Sequence, residues 1–228
     1  MLLFTGANPS ITNEINTSLL YTDLRNNPEL KWRIFSIPAP KVSMDCFIIQ
    51  RDSLPTMTPS AHVILFFNGN DISFWHNYGE WKYLSSLGAD FMTIDSRGYG
   101  RTLGKFNATE QSCYEDAERA LGYLTGSLGY SEDSIFLFGF SLGTGIATEM
   151  AKRHKTSHTV LFAPFASIEV ASNGITGGYN IPAYWLLNSS FDNISKIADI
   201  NQPLFIIAGK EDMLFPPQDN VVKLFDRV

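Results

Sequence analysis

The chain has 228 residues and a formal net charge of −6, and 44% of its residues are hydrophobic and 18% charged. This length and composition suit one α/β domain with a sizeable core and exclude a disordered chain. The acidic balance, with no run of lysine or arginine, argues against nucleic acid as the main partner.

Signals for a membrane, a secretion route or a metal are missing from the printed sequence. No apolar run approaches the length of a transmembrane helix, and the first residues lack the basic segment of a signal peptide. We therefore predict no transmembrane segment and a cytoplasmic location. Cys46 and Cys113 do not have the spacing of a metal site, so we interpret them as reduced thiols and predict no metal.

Two strands are predicted in the first quarter of the chain. Residues 1–30 are polar and weakly patterned, so we treat them as a peripheral segment. Residues 31–37 and 44–50 have strand-like patterns, separated by turn residues that include Pro38 and Pro40. Residues 51–61 contain two prolines and several small polar residues, which predicts a loop.

From residue 62 onward, short apolar runs alternate with helical patterns. The apolar runs do not alternate with polar residues, which is typical of strands buried on both faces. They cover residues 62–67, 89–94, 135–138, 158–163 and 203–208. Helical patterns cover residues 78–87, 112–124 and 142–151 and the stretch after Pro217. Together they predict one α/β domain, with a mostly parallel sheet and helices on both faces.

Two local details of this arrangement are also predicted. Ser112 and Glu115 have the spacing of a capping box, which predicts a helix that starts at Ser112 and pairs Glu115 with Arg119. Asp95 and Arg97 follow a predicted strand. We interpret them as a strand-end turn with an ion pair, and not as acid–base groups.

The run Gly139-Phe140-Ser141-Leu142-Gly143 carries the clearest chemical signal. An apolar strand pattern precedes it and a helical pattern follows it, which is the context that a nucleophile elbow requires. The glycines allow a sharp turn in which backbones approach closely, and the serine then lies at its tip. The alternative is a glycine-rich turn that happens to contain a serine.

Other stretches also fall at the ends of predicted parallel strands. They are residues 68–71, Pro164 with Phe165, and Asp212. Ligands of open α/β sheets bind at the carboxyl ends of the strands. We therefore expect these stretches to converge with Ser141 on one crevice.

Several stretches, in the same order, resemble the α/β-hydrolase superfamily. Residues 67–70 stand where the family has His-Gly-Asn, residues 95–100 match its Asp-x-Arg-Gly-x-Gly, residues 139–143 match its elbow, and residues 179–216 resemble its run into the acid. More narrowly, the chain is similar to the serine-aminopeptidase-like branch, which includes α/β-hydrolase-domain proteins with protein-depalmitoylating members. The likeness covers roughly residues 32–228, and it implies an α/β-hydrolase fold with a small cap between the sixth and seventh strands, at residues 167–200.

The resemblance implies a role for each matching position. Ser141 is the nucleophile, Asp212 is the acid that orients a histidine, and the N–H groups of Asn70 and Leu142 form the oxyanion hole. The alternative for Asp212 is a turn cap, and Glu169 is a substitute acid.

A substrate pocket is predicted beside these residues, from Asn68, Phe165, Tyr184 and Trp185. For Asn68 the alternative is a simple turn residue. The aromatic residues between positions 179 and 187 fit an ordinary core equally well.

The histidine departs from the family's order of Ser, Asp and His. The four histidines of the chain, His62, His76, His154 and His158, all precede Asp212. Three of them are interpreted as surface or packing residues, and His76 interests us only because it follows the predicted oxyanion loop. The family has a further strand, a histidine loop and a helix beyond the position of Val228. We therefore interpret the chain as lacking that segment, and expect little turnover from these 228 residues alone.

The function that the resemblance implies is a serine hydrolase. It cleaves a carboxylic ester or thioester of a small-molecule or acyl-chain substrate through an acyl-enzyme on Ser141, without a metal or an organic cofactor. Two alternatives stay open, a catalytically disabled binding protein of the same fold and an amidase or peptidase that uses the same residues. The sequence does not indicate the oligomeric state.

Overall fold

Seven strands form one sheet in the computed structural model, which describes residues 30–51, 62–70, 73–74, 83–84, 86–100, 108–175 and 189–228. The strands are β1 (Leu30–Ile37), β2 (Met44–Arg51), β3 (Val63–Phe67), β4 (Asp90–Asp95), β5 (Ile135–Phe140), β6 (His158–Phe162) and β7 (Leu204–Ile207). The α-helices with assigned bounds are α1 (Glu110–Gly122), α2 (Gly143–Arg153), α3 (Ile168–Ile175), α4 (Asn193–Lys196) and α5 (Val221–Phe225).

The order of the strands is β1-β2-β4-β3-β5-β6-β7. The first two strands pair antiparallel, and β2 also runs antiparallel to β4, whereas all pairs from β4 to β7 are parallel. This confirms the mostly parallel sheet. Because β4 and β5 lie on opposite sides of β3, the strand order reverses at β3, and a crevice opens at its carboxyl end.

Alternate residues of the strands face two separate apolar cores, as the two-residue period of a strand requires. On one face α1 and α2 cover residues such as Leu65, Met92 and Leu137. On the other face Phe66 and Phe91 pack with Phe74, and Leu84 of the helical stretch before β4 adds to them. Helices thus lie on both faces, as predicted. Helix α2 is buried over almost its whole length, because it packs on β3, β5 and β6.

The start of α1 differs from the sequence prediction. The N-cap is Thr109, whose hydroxyl accepts from Ser112 N at 3.1 Å, while Ser112 Oγ accepts from Thr109 N at 2.8 Å. Ser112 is therefore the third helical residue and not the cap. The predicted partner of Glu115 is also wrong, because Arg119 donates to the Glu115 backbone carbonyl and the Glu115 carboxylate pairs with Arg97.

A buried arginine fixes the turn after β4 to helix α1. Arg97 donates from Nε to Asp116 Oδ1 at 2.7 Å and from its backbone N–H to Asp116 Oδ2 at 2.8 Å. Its Nη2 lies 2.8 Å from Glu115 Oε2, and its Nη1 donates to the Pro40 carbonyl. These two ion pairs with α1 were not anticipated from the sequence, which considered only Asp95 as a partner.

Candidate active site

Ser141 occupies a sharp turn between β5 and α2. Its φ of +50° lies in the left-handed region, which costs a residue with a side chain some backbone strain. Three hydrogen bonds hold it there: its N–H donates to the Phe162 carbonyl at 3.0 Å, and its carbonyl accepts from Thr144 N at 2.9 Å and from Thr144 Oγ1 at 2.6 Å. The geometry is that of a strand-to-helix elbow with the serine at its tip.

The glycines on either side of Ser141 are required by close backbone approaches. A Cβ at Gly139 would lie 2.5 Å from the Gly143 carbonyl oxygen. A Cβ at Gly143 would overlap the Phe67 carbonyl and lie 2.6 Å from its carbon. The elbow is therefore seated directly on the carboxyl end of β3, where the next segment of the site begins.

Ser141 is half-buried, and its hydroxyl makes no hydrogen bond with any residue that the structure describes. The described histidines lie elsewhere. His62 and His158 stand at the amino ends of β3 and β6 and both pack against the Phe136 ring. His76 lies outside the described residues. No described histidine thus stands beside the serine.

His154 has a structural setting at the end of α2. Its Nε2 lies 2.8 Å from Glu118 Oε2, and its Nδ1 lies 3.0 Å from Glu132 Oε1. Burial alone lowers the pKa of His154, but hydrogen bonds and charge from the two glutamates outweigh it and raise that pKa. Its ring joins α1 to the turn before β5, and both ring nitrogens are engaged by glutamates.

Residues 68–74 follow β3, and we call this segment the oxyanion loop after its predicted role. Residues 71–72 of it lie outside the described part. A Cβ at Gly69 would be 3.2 Å from Ser141 Cβ, so this part of the loop and Ser141 are neighbours. Asn68 Nδ2 donates to Thr93 Oγ1 at 2.9 Å and to the Ile94 carbonyl at 3.2 Å, and Asn68 is therefore tied to β4.

Leu142 precedes the first turn of α2, and its N–H has no hydrogen-bond acceptor among the described residues. Such orphan N–H groups at a helix start, together with the helix dipole, favour negative charge nearby. A cavity of ≈ 20 Å³, room for about one water molecule, lies between Leu142 and the oxyanion loop and is lined in part by Asn68 and Gly69.

Asp212 lies in the turn that follows β7. Its Oδ1 accepts from the N–H groups of Leu214 and Phe215, each at 2.9 Å. The carboxylate therefore caps its own turn, as the alternative interpretation supposed, while Oδ2 has no partner among the described residues. Since β6 alone separates β5 from β7, Ser141 and Asp212 follow strands that lie about 10 Å apart.

The predicted pocket residues have different settings. Phe165 is 1% exposed, and its ring packs against Phe191 and Phe215, so it belongs to the core here. Tyr184 and Trp185 lie outside the described residues. Glu169 is exposed in the first turn of α3. A substrate role for these residues stays a prediction.

A larger apolar cavity lies on the opposite face of the sheet. It measures ≈ 300 Å³ and is lined by residues such as His62, Leu84 and Phe136, near the amino ends of the strands. It includes none of the predicted site residues.

Two contacts of the oxyanion loop were missed by sequence reasoning. Ser73 Oγ donates to Asp95 Oδ2 at 2.6 Å, and Tyr99 OH donates to Asn70 Oδ1 at 3.2 Å. Tyr99 occupies a variable position of the Asp-x-Arg-Gly-x-Gly motif, so only the motif itself pointed to this turn. Ser73 carries no sequence signal.

Searches of the described residues for other kinds of site gave negative results. No three His, Cys, Asp or Glu side chains in these parts of the chain are grouped so as to hold a metal ion. Within the same residues, no helix has both the length and the apolar character needed to cross a bilayer.

Comparison of the sequence with protein families gives a match over residues 58–196 to the family described as serine aminopeptidase, S33. Human alpha/beta hydrolase domain-containing protein 17B is 30% identical over 163 residues, which cover 68% of this chain and 52% of that protein. An uncharacterized protein of Mycobacterium tuberculosis is 32% identical over 133 residues, or 58% of this chain and 46% of that protein. The chain thus spans about half the length of these curated relatives.

Solved structures share the fold at low sequence identity. An esterase of Pyrococcus furiosus aligns over 90% of this chain and 79% of its own, with a TM-score of 0.69 and 18% identity. An acylaminoacyl peptidase of Pyrococcus horikoshii aligns over 92% of this chain and 36% of its own, with a TM-score of 0.65 and 12% identity. These likenesses confirm the predicted fold class.

Proposed function

The chain belongs to the serine aminopeptidase (S33) family of the α/β-hydrolase superfamily, and from that premise we propose that it is a serine hydrolase that cleaves a carboxylic ester or thioester. The observation that carries the proposal is the elbow. Ser141 is held at φ +50° beside the oxyanion loop, and no described group binds its hydroxyl. Strain of this kind is retained where the fold needs a side chain in one particular place.

The proposed reaction follows from these positions. The Ser141 Oγ attacks the acyl carbon, while a histidine oriented by Asp212 takes the hydroxyl proton. The N–H groups of Leu142 and Asn70 hold the oxyanion of the tetrahedral intermediate. The histidine returns the proton to the departing alcohol or thiol, and water then hydrolyses the acyl-enzyme with the same base.

The acid and the turn cap are compatible roles for Asp212. The two backbone N–H groups on Oδ1 fix the direction of the carboxylate, and Oδ2 remains for an imidazole N–H. The base that we propose is a histidine outside the described residues. Because the chain spans about half of its curated relatives, the activity belongs to the complete natural protein and is best tested on it.

Two other functions use the same fold. The family description, serine aminopeptidase, favours amide cleavage by the same residues, because the leaving group is selected around the triad and not by it. The other is a binding protein that has the fold without the chemistry.

A fluorophosphonate probe tests the proposal on the complete natural protein. We expect covalent labelling that is lost in Ser141→Ala. Ser157→Ala is the matched control, because Ser157 precedes β6 at the amino ends of the strands, away from Ser141, and has no proposed role. Its Oγ lies 2.9 Å from His158 Nδ1. Labelling that survives in Ser141→Ala would refute the assignment of Ser141 as the nucleophile.

The substrate class is then read from turnover. Parallel assays with a p-nitrophenyl ester, an acyl thioester and an aminoacyl anilide separate the three leaving groups. Ester or thioester turnover without anilide turnover supports the proposal, and preferred anilide turnover supports the peptidase. The absence of both labelling and turnover in the complete protein would support the binding protein.

A further inference from the structure

Asp95 lies at the end of β4 and contacts the oxyanion loop, not the nucleophile. We propose that Asp95 is a positioning residue, which holds the loop so that the Asn70 N–H faces the oxyanion. The inference rests on the proposed serine hydrolase function and adds a second group of residues to it. It also replaces the interpretation of Asp95 as a plain strand-end turn.

Both oxygens of Asp95 bind the far end of the loop. Its Oδ2 accepts from Ser73 Oγ at 2.6 Å, and its Oδ1 accepts from Phe74 N at 2.8 Å. All three residues are buried, and Asp95 is 2% exposed. Hydrogen bonds to a carboxylate are roughly twice as strong as neutral ones, and a buried carboxylate is costly without them. The loop end is therefore strongly favoured in this one position.

The start and the middle of the loop are tied to the same part of the chain. Asn68 donates to Thr93 and to the Ile94 carbonyl on β4. The Asn70 side chain accepts from Tyr99 OH, in the turn that follows β4. One strand end thus holds the loop at three points, one of which is the residue whose N–H is proposed to act.

The turn after β4, to which the loop is bound, is itself fixed to the rest of the fold. Arg97 joins the turn after β4 to Asp116 of α1 through two hydrogen bonds. The Asp95 side chain is also confined, because a Cβ at Gly100 would lie 2.7 Å from Asp95 Cγ. The carboxylate therefore lies against the Gly100 backbone on one side and the loop on the other.

Loss of the tethers is expected to affect the transition state more than substrate binding. The oxyanion loop passes within contact distance of Ser141, whereas the serine itself is held by β6 and α2. A displaced loop moves the Asn70 N–H relative to the oxyanion and leaves Ser141 in place. Loss of an interaction that is made only in the transition state lowers kcat and leaves KM nearly unchanged.

Two conservative variants test the tethers with little risk to folding. Ser73→Ala removes one hydrogen bond to Asp95, and Tyr99→Phe removes the hydrogen bond to Asn70. The matched control is Ser36→Ala. Ser36 Oγ donates to Asp45 Oδ1 at 2.8 Å. Asp45 is also a buried aspartate, and it lies opposite Asp95 in the pairing of β2 with β4. The hydrogen bond from Ser36 to Asp45 holds β1, however, and not the loop.

The first measurement is amide hydrogen exchange of the peptide that contains residues 68–74, in the complete natural protein. In Ser73→Ala we expect exchange about tenfold faster there than in the unsubstituted protein, with the peptides of α2 unchanged. Ser36→Ala should leave the loop peptide unchanged. Equal protection of the loop in Ser73→Ala and in the unsubstituted chain would overturn the tether.

The second measurement is steady-state hydrolysis by the complete natural protein. In Ser73→Ala and Tyr99→Phe we expect kcat to fall about tenfold to a hundredfold with KM within about twofold, and no change in Ser36→Ala. If the protein is active and kcat in both variants equals that of the unsubstituted protein, the positioning role is overturned. A rise of KM alone overturns it as well. A complete protein without Ser141-dependent turnover instead overturns the proposed function itself, and with it any catalytic role of the loop.

Discussion

Removal of the buried Arg97 guanidinium should unfold the protein at markedly lower denaturant concentration. Arg97→Met keeps the apolar stem and leaves Asp116, which is 0% exposed, with only the backbone N–H at position 97 as a donor among the contacts described above. The Glu115 carboxylate is 40% exposed and contributes little. Breaking a buried pair in this way costs about 3–5 kcal/mol, because one charge stays in the interior.

The loss should also depend on pH. Burial raises the pKa of Asp116, and the guanidinium opposes that rise. Without Arg97 the folded-state pKa rises further above its value in the unfolded chain. Folding then favours the protonated acid, so the stability of the variant decreases as pH increases from the unfolded to the folded pKa. The difference from the unsubstituted protein is therefore smaller in acid than at neutral pH.

Urea unfolding at neutral and acidic pH measures both effects. Lys152→Met is the matched control, because Lys152 Nζ lies 2.7 Å from Asp199 Oδ2, the same distance, but these side chains are 41% and 53% exposed. We expect no measurable loss there. In the double variant Arg97→Met with Asp116→Asn, much of the stability should return. A loss in Arg97→Met below about 1 kcal/mol, or one independent of pH, would refute the reasoning.

Three further predictions concern the elbow, a surface histidine and the acid. Gly143→Ala should abolish probe labelling, because its Cβ overlaps the Phe67 carbonyl, whereas Gly122→Ala, with nothing within 4 Å of the added carbon, should label normally; equal labelling would contradict the seated elbow. His154→Gln should lower the Tm at about pH 5.5 more than at about pH 9, since a raised pKa stabilises below the unfolded value of about 6.5 and is lost above the folded one; a pH-independent shift would contradict the glutamate pairing. Asp212→Asn should keep its turn and its Tm but lower kcat about 10⁴-fold, and unchanged turnover would leave Asp212 as a turn cap alone.

The sheet and the elbow were predictable because their signals are local. Unbroken apolar runs are typical of buried strands, and the structure places β3 to β7 at those runs. Of these, only β3 and β4 are buried at every residue, whereas Phe162 of β6 and Phe205 of β7 are exposed. The Gly-x-Ser-x-Gly spacing describes a sharp turn, and its close approach between Gly139 and Gly143 is local. The contacts of the same turn with Phe67 and Phe162 come from other strands and were not part of the motif. The pairing of the first two strands with each other and with β4 was not specified by their patterns.

Contacts between distant residues were the parts that could not be predicted. The helix α1 begins at Glu110 because Thr109 and Ser112 form the reciprocal cap, while Glu115, which completes an equally good local pattern, pairs with Arg97. That pairing spans 18 residues of sequence. Sequence spacing alone favoured the start at Ser112, and the contact of Glu115 with Arg97 that decides against it arises only in the fold.

The candidate site shows the same division. The motifs indicated candidates for the nucleophile, the oxyanion loop and the acid, each from its own strand end. The link between Ser73 and Asp95 spans 22 residues, and no pattern predicted it. Phe165 was predicted to line a pocket, yet its ring packs with two phenylalanines that come from residues 191 and 215. Its setting was hidden because both partners are distant in sequence.

The central claim is that Ser141 is an activated nucleophile, and mass spectrometry tests it most directly. The complete natural protein is allowed to react with a fluorophosphonate, digested, and its peptides are searched for the adduct. The account predicts a single phosphonyl group on Ser141, with the stoichiometry approaching one per chain. An adduct on another residue, or an unmodified Ser141 after full exposure to the probe, would contradict it.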